Sequence, residues 1–296
     1  MRVALFCATR RGLRCLRKVA ELRPDCDLTV VSFREEPWEP PFMDDIRAVA
    51  LERDGRFLEA RKVEVFEPVD LILAVNWRYV IPPSVYHLAR RGAYVLHDSL
   101  LPEYRGFSPT VWAIIDGADH TGATLFQMAE EVDAGDIVAQ VRVPIGPDEV
   151  IGDVMERVTQ QYLRLLEEQL DRLLGADVVL HPQDHARATH RPRRTPADNR
   201  IDWTQPCKRI CNLVRAVSQP YPGAFTHMEG RMMRVWSARP LPDERPGQPG
   251  NVVSVRAGEG VVVSAADGCV MVREVQLEGG GPACASDVLT RAARLT

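Results

Sequence analysis

The feature that most constrains the fold is an alternation of short apolar runs with helical patterns along the first half of the chain. The apolar runs, which have the composition of buried strands, are Arg2–Ala8, Leu28–Phe33, Val63–Phe66, Leu71–Val75 and Ala93–Ser99. Between them, apolar residues recur at helical spacing in Gly12–Leu22, Met43–Leu58 and Pro83–Arg91. Strands that are apolar throughout are typical of a parallel sheet covered by helices on both faces. The sequence therefore predicts an α/β fold with a Rossmann-like, mostly parallel sheet.

The second half of the chain has a different pattern. A helical turn at Pro109–Ile115 and strands at Thr124–Met128 and Ile137–Ile145 lead to a long amphipathic helix, Glu149–Leu174. Residues 181–203 are rich in Pro and Arg and lack hydrophobic periodicity, which indicates a linker. A helix, Pro206–Val217, is followed by short β-like runs: Ala224–His227, Met233–Ala238, Asn251–Val255, Gly260–Ser264 and Cys269–Gln276. We therefore expect an α/β domain at 1–180 and a small, OB-like β-barrel domain at 204–296.

Composition and charge narrow the functional classes. The net charge of −4 argues against nucleic acid, including tRNA, as the main partner. No apolar run approaches the roughly 20 residues of a membrane span. The seven cysteines include no CxxC pair, so we expect structural thiols in a reducing cytoplasm. The basic residues of the N-terminus follow its apolar run, the reverse of a secretion signal. The histidines at 181, 185 and 190 lack partners at a metal-binding register, so no metal is expected.

The stretch GAYVLHDSLLPEYRG, residues 92–106, carries a histidine inside an apolar strand. Alternate side chains of a strand share a face, so Val95, His97 and Ser99 point the same way. Ligands of open α/β sheets bind beyond the carboxyl ends of the strands, and His97 lies near such an end. Position alone nevertheless favours a histidine that is held by a backbone carbonyl.

The residues that follow carry a resemblance to a known family. SLLPEYRG is followed by Pro109, Trp112 and Gly117, then by TGATLFQM and EEVDAGDIVAQ. This run resembles the folate-dependent formyltransferases, which transfer a formyl group from 10-formyltetrahydrofolate to an amine. RRTPADNRIDW and LVRAVSQPYPGAFTHMEGRMMRVWSA extend the resemblance to the C-terminal part, where the chain looks closest to sugar-nucleotide N-formyltransferases. The resemblance thus covers most of the chain.

The resemblance implies roles for three residues. It makes His97 the group that moves protons and Asp133 the carboxylate that orients it. The family's third residue is an Asn, and Val95 stands in its place. Three explanations are open: Asn76 supplies the amide, the chemistry is altered, or the protein binds ligand without catalysis. Asn76 follows a predicted strand, and the alternative for it is a cap of the turn.

The resemblance also implies a set of binding residues. The folate site would include Trp77, Arg78, Tyr79, Leu100, Val132 and Gly135. The acceptor site would include Val95, Ser99, Pro102, Arg105, Gly106 and Pro109. Arg105 either clamps a phosphate or carboxylate of the acceptor or fixes its own loop. The aromatic residues at 77 and 79 either line the pterin pocket or are plain packing.

These observations together predict a cytoplasmic transferase that moves a one-carbon unit to a small-molecule amine, with an amino sugar nucleotide as the favoured acceptor. The alternatives are a hydroxylamine or amino-acid-derived acceptor, methionyl-tRNA, and a folate- or nucleotide-binding protein without activity. Assembly as a homodimer is left open.

Overall fold

The computed structural model describes residues 1–36 and 39–296, which form two compact units. The first unit comprises Met1–Pro109, Thr121–Val143 and Glu156–Pro192, and the second comprises Thr110–His120, Pro144–Met155 and Arg193–Thr296. The predicted linker is divided between them, since residues 181–192 belong to the first unit and 193–203 to the second.

The first unit is built on a seven-stranded sheet of order β3-β2-β1-β4-β5-β7-β8. Its strands are β1 (Arg2–Cys7), β2 (Asp27–Ser32), β3 (Arg56–Glu59), β4 (Leu71–Val75), β5 (Ala93–His97), β7 (His120–Gln127) and β8 (Ile137–Pro144). A separate two-stranded sheet pairs β6 (Arg105–Gly106) with β9 (His190–Arg191). Its helices are α1 (Thr9–Leu22), α2 (Met43–Glu52) and α3 (Pro83–Tyr86). Helix α4 (Pro109–Asp116) belongs to the second unit apart from Pro109, and α5 (Ile151–Gly175) belongs to the first unit from Glu156 onward. The first five strands of the sheet are parallel and β7 runs antiparallel to β5, which confirms the predicted mostly parallel sheet.

The sheet has two apolar faces because its central strands are apolar at almost every position. Leu5 and Leu73 point to one face, where they join a buried cluster with Leu16 of α1 and Leu166 of α5. Neighbouring side chains such as Phe6 point to the opposite face and a second buried cluster. A strand buried on both faces has no polar alternation, and this is why β1, β4 and β5 were recognisable in the sequence.

Three predicted elements of this unit differ from the structure. The helix predicted to run to Leu58 ends at Glu52, because Asp54 takes a left-handed backbone (φ 51°) and the chain returns as β3. Strand β3 pairs only with β2, and its mostly exposed residues lack an apolar signature. The strand predicted at Val63–Phe66 is irregular, and Val65 is 89% exposed. Helix α3 is also shorter than predicted, ending at Tyr86.

The second unit confirms the predicted β domain. Helix α6 (Cys207–Ala216) precedes a sheet of order β10-β11-β14-β13-β12, in which β15 pairs with β14. The strands are β10 (Ala224–Met228), β11 (Arg231–Leu241), β12 (Val252–Arg256), β13 (Gly260–Ser264), β14 (Cys269–Leu277) and β15 (Pro282–Cys284), and α7 (Ala285–Val288) follows.

The last residues of the chain connect the two edges of this sheet. Thr296 exchanges backbone hydrogen bonds with His227 of β10, at 2.9 and 3.0 Å. Leu295 donates its amide to the carbonyl of Gly250, beside β12, at 2.8 Å. The edge strands are therefore both covered by the chain end, which protects them from pairing with another chain.

Among the described residues, no helix combines the length and the apolar character that a membrane span requires.

Candidate functional site

The candidate site lies at the carboxyl edge of the parallel strands. Val75 pairs with Leu96 in the β4–β5 register, so Asn76 and His97 follow at the same level of the sheet. Several non-glycine residues at the loops of this edge have a left-handed backbone, namely Thr9 (φ 65°), Asn76 (φ 54°), Tyr104 (φ 57°) and Asp133 (φ 56°). Such conformations are costly and concentrate at ligand sites. The strain therefore points to the same edge as the histidine.

The His97 ring has a defined proton arrangement. Nε2 lies 2.9 Å from the carbonyl oxygen of Tyr104, and a carbonyl only accepts, so Nε2 carries hydrogen and donates. Nδ1 is then the nitrogen that can exchange a proton. It faces Oδ2 of Asp133 at 3.7 Å, which is longer than a hydrogen bond. The ring is buried, with 8% of the side chain exposed, and packs edge-on against Phe126. The Asp133 carboxylate therefore faces the ring nitrogen that is not engaged by the Tyr104 carbonyl.

Asp133 is held by its own loop and by the loop after β5. Its Oδ2 accepts the backbone N–H of Gly106 at 2.8 Å. A side chain at Gly106 (φ 97°) would overlap the carbonyl oxygen of Arg191, and one at Gly135 would overlap that of Gln127. Gly106 is therefore required for the loop after β5 to approach Arg191, and Gly135 is required for the Asp133 loop to approach the end of β7. The structure brings His97, Asp133 and Gly106 together, with Gly135 in the Asp133 loop, and their site roles stay predictions.

Arg105 is directed at protein groups. Only 1% of its side chain is exposed. Nε and Nη2 donate to Oε1 of Gln183 at 3.2 and 2.8 Å, and Nη1 donates to Oε1 of Glu131 at 3.1 Å. Nη2 also lies 3.0 Å from Nδ1 of His185, which must accept because the guanidinium only donates. These contacts correspond to the loop-fixing alternative for Arg105, and the acceptor clamp stays a prediction.

Gln183 is a site residue that sequence reasoning missed. It is buried, and its Nε2 donates to the carbonyl oxygens of Asp133 and Gly135 at 2.9 and 2.7 Å. It lies in the Pro- and Arg-rich stretch that we interpreted as a linker, where a polar residue carries no signal of burial. Only the tertiary contact reveals it.

A second missed group lies on the opposite face of the sheet. Arg11 of α1 is buried and ion-paired with Asp98, the residue after His97, at 3.4 Å. Its Nε donates to Oγ1 of Thr159 at 3.2 Å, and its guanidinium lies 5.1 Å from the ring centroid of Tyr162. Burial raises the pKa of the Tyr162 hydroxyl well above its usual value. This cluster attaches the end of β5 to helices α1 and α5.

Val95 and Asn76 differ in what they offer. Val95 is partly exposed, packs against the cluster that contains Phe6, and lies on β5 between Ala74 and Phe126. It presents no polar atom. Asn76 donates its Nδ2 to Oγ1 of Thr9 at 3.0 Å. Its Oδ1 makes no hydrogen bond within the part of the chain that the structure describes. The replacement role of Asn76 stays a prediction.

The aromatic residues after β4 form a tight cluster. Trp77 packs edge-on against Phe6, Phe33 and Tyr79, with ring centroids 5.3 to 5.8 Å apart. Arg78 is paired with both carboxylate oxygens of Glu39. Nε1 of the Trp77 indole is buried and has no hydrogen-bond partner among residues 1–36 and 39–296. The cluster is thus packed, with one buried donor left for an additional acceptor.

The remaining predicted binding residues differ in how much of each side chain is exposed to solvent. Ser99 is buried and donates to the carbonyl of Glu103 at 2.6 Å. Leu100 and Pro102 are half-buried, Val132 is 58% exposed, and Pro109 is the first residue of α4. The acceptor and folate roles of all these residues stay predictions.

Comparison with known families agrees with this geometry. The family model described as "Formyl transferase" matches residues 50–170, and the one described as "Formyl transferase, C-terminal domain" matches residues 193–293. The two matches lie in the order expected and together span most of the chain. The chain therefore belongs to the formyl transferase family.

Solved structures share the fold. HypX from Aquifex aeolicus, in complex with tetrahydrofolic acid, is 23% identical to this chain and superposes with a TM-score of 0.64. The match covers 97% of this chain but only 46% of HypX. WlaRD, a sugar 3N-formyl transferase solved with dTDP and 5-N-formyl-THF, is 13% identical with a TM-score of 0.68 over 92% of this chain and 97% of its own. An N-formyltransferase from Helicobacter canadensis, in complex with folinic acid and dTDP-3-aminofucose, has a TM-score of 0.69 at 13% identity, with 91% and 98% covered.

Proposed function

We propose that the protein transfers a formyl group from 10-formyltetrahydrofolate to the amine of a small molecule, and that the acceptor is an amino sugar nucleotide. The observation that carries the proposal is the His97–Asp133 pair, buried at the carboxyl edge of the sheet. Membership of the formyl transferase family supports the reaction class.

The orientation of His97 suits the proton transfers that this reaction needs. As the amine nitrogen bonds to the formyl carbon, it must lose a proton, and the departing nitrogen of the folate must gain one. Nε2 of His97 is committed to the Tyr104 carbonyl, so Nδ1 would receive the proton and return it. Asp133 lies on the Nδ1 side and would stabilise the charged ring while it holds the proton.

The donor proposal is supported by the aromatic cluster after β4. Nε1 of Trp77 is buried and has no hydrogen-bond partner among the described residues, so we expect a bound heterocycle to accept its hydrogen. The donor, when bound, supplies the formyl carbon. Trp77, Tyr79 and the loop of Asp133 are the residues that we expect to hold it.

The acceptor proposal is supported by the neighbours of similar length. Both sugar N-formyltransferases cover more than 90% of this chain and nearly all of their own, and both were solved with a thymidine nucleotide or nucleotide sugar. We infer an acceptor of the same class, with the reacting amine on the sugar.

The test is formyl transfer by the purified protein. It is incubated with 10-formyltetrahydrofolate and a panel of amines: nucleotide-linked 3- and 4-amino sugars, hydroxylamines, amino-acid derivatives and methionyl-tRNA. Tetrahydrofolate release and product mass are measured. We expect turnover with an amino sugar nucleotide, and a loss of about 10²- to 10⁴-fold in kcat for His97→Gln.

The control is His87→Gln, because His87 is exposed and its ring stacks on Tyr86 outside the candidate site. Its kcat should match that of the unmodified protein. Folate binding by calorimetry without turnover on any acceptor would overturn the proposal, as would unchanged kcat in His97→Gln. Turnover confined to another acceptor of the panel would overturn the sugar-nucleotide part alone.

A further inference from the structure

Residues 181–191, which we call the strap, connect the loop that follows His97 and β5 with the loop that carries Asp133. His181 exchanges backbone hydrogen bonds with Ile137, just beyond the Asp133 loop, at 2.8 and 2.9 Å. At the other end of the strap, Thr189 and Arg191 accept the amides of Arg105 and Phe107 at 2.8 and 3.2 Å. The strap thus pairs with the chain on both sides of the candidate site.

Gln183 is the side chain through which the strap contacts the Asp133 loop. Its two ends are used differently. Oε1 accepts two hydrogen bonds from the guanidinium of Arg105, and Nε2 donates to the carbonyls of Asp133 and Gly135. All four distances are between 2.7 and 3.2 Å.

The orientation of this amide is forced by its neighbours. A guanidinium only donates and a backbone carbonyl only accepts. Rotating the Gln183 amide by half a turn would place its oxygen against two carbonyl oxygens and its NH₂ against two N–H groups. Arg105 therefore fixes which end of Gln183 faces the Asp133 loop.

Asp133 is consequently held from two sides. Gln183 holds its backbone carbonyl, and the Gly106 amide holds its carboxylate at 2.8 Å. Between these attachments the backbone of Asp133 is left-handed, with φ 56°. We propose that Gln183 is a positioning residue that aims the Asp133 carboxylate at His97 by attaching the Asp133 loop to the buried Arg105. The proposal rests on the proposed function only for the consequence that positioning has for catalysis.

The structure supplies an internal test that needs no activity. The amides of Arg105 and Phe107 are bonded to the strap backbone, whereas the amide of Gly106, between them, is bonded to the Asp133 carboxylate. In Gln183→Leu we expect hydrogen-exchange protection of the Gly106 amide to fall by about tenfold or more. Protection of the amides on either side should stay within about twofold, because the strap backbone is unchanged.

Two substitutions separate positioning from a structural role. Gln183→Glu keeps an acceptor for Arg105 but has no N–H for the carbonyls of Asp133 and Gly135. We expect kcat for formyl transfer to fall by about 10- to 100-fold in both Gln183→Leu and Gln183→Glu, with KM within about twofold. If Gln183 served only to satisfy the buried charge of Arg105, Gln183→Glu would retain kcat.

The matched control is Gln276→Leu. Gln276 is also partly buried and also bridges, since Oε1 accepts from Trp236 and Nε2 donates to the carbonyl of Gly280. Both of its partners are in the second unit. The kcat of Gln276→Leu and the hydrogen-exchange protection of its Gly106 amide should therefore be unaffected. In an Asp133→Asn background, Gln183→Leu should cost less than about twofold in kcat, because residues of one network are not additive.

The outcomes distinguish this proposal from the proposed function. Unchanged Gly106 protection in a folded Gln183→Leu protein would overturn the positioning role, whatever the activity. Lost protection with full kcat in both Gln183 variants would overturn its consequence for catalysis. A protein that transfers no formyl group, yet loses Gly106 protection in Gln183→Leu, would refute the proposed function and support the positioning.

Discussion

Val95→Asn is the substitution that most directly tests how this site works. The family resemblance places an Asn amide at this position, two residues before His97 on the same face of β5. Cα atoms two residues apart on a strand are about 6.6 Å apart, so one reacting carbonyl is within reach of both side chains. One donor to a developing oxyanion contributes about 2.7–4 kcal/mol, or roughly 10²–10³ in rate.

The stability cost of this change is small. Val95 is only partly buried, and full burial of a valine contributes about 1.5–3 kcal/mol, so we expect a loss of about 1 kcal/mol. In a unit of this size that lowers Tm by about 2–4 °C, which leaves the protein folded at assay temperature. The expected gain in transition-state stabilisation exceeds this cost.

We therefore expect Val95→Asn to raise kcat by about 10- to 1,000-fold, measured as tetrahydrofolate release with the acceptor found in the panel. Val95→Thr is the matched control, because it keeps the branched shape and adds polarity without an amide. A folded Val95→Asn protein with unchanged or lower kcat would refute the reasoning. The site would then be organised for a reaction that needs no amide at this position.

Further predictions follow from the fold and the thiols. Asn76→Ala should destabilise by about 1–2 kcal/mol in urea unfolding, because it removes the bond to Thr9 and places Ala at φ 54°. Asn76→Gly should recover the backbone part of that loss and none of the hydrogen bond. Gly135→Ala should cost about 2–4 kcal/mol, or leave the protein insoluble, since the added Cβ overlaps the Gln127 carbonyl. Equal melting temperatures for Gly135→Ala and the unmodified protein would contradict the close approach of Gly135 to the Gln127 carbonyl. Burial raises the pKa of the Cys15 thiol from 9.0 to about 12. Its protonated form therefore contributes stability that is complete below pH 9 and is lost as the pH rises from 9 towards 12. The unfolding free energy should therefore fall with pH across that window less steeply in Cys15→Ala than in the unmodified protein. The two slopes should differ by about 1.4 kcal/mol per pH unit.

The parts of the fold that could be predicted are those whose burial leaves a signature in the chain itself. Strands β4 and β5 are apolar at almost every position, and their ends were placed within two residues. Strand β3 could not be predicted, because it is a short edge strand with one partner and mostly exposed side chains. The turn before β3 also begins at Asp54, where the helical pattern continues in the sequence although the backbone leaves the helix.

The candidate site also has parts that the sequence could predict and parts that it could not. His97 and its partner carbonyl at Tyr104 lie in one contiguous motif, so the sequence contained both. Arg105 is in that motif too, but its role depends on burial. An arginine is exposed by default, and an exposed one is a natural clamp for an anionic ligand. Burial to 1% instead requires acceptors from the protein, and these come from residues as distant in sequence as Gln183.

The burial of Arg105 has a consequence for the acceptor. Its guanidinium makes four hydrogen bonds, to Gln183, Glu131 and His185, and turning it to a ligand would leave a buried glutamine oxygen without its donors. An unsatisfied buried acceptor costs about 1–3 kcal/mol, which would offset much of what a new phosphate contact contributes. Under the proposed function, we therefore expect the phosphates of a nucleotide-linked acceptor to be bound mainly by groups other than Arg105. The guanidinium of Arg105 instead orients the Gln183 amide, which holds the backbone of the Asp133 loop.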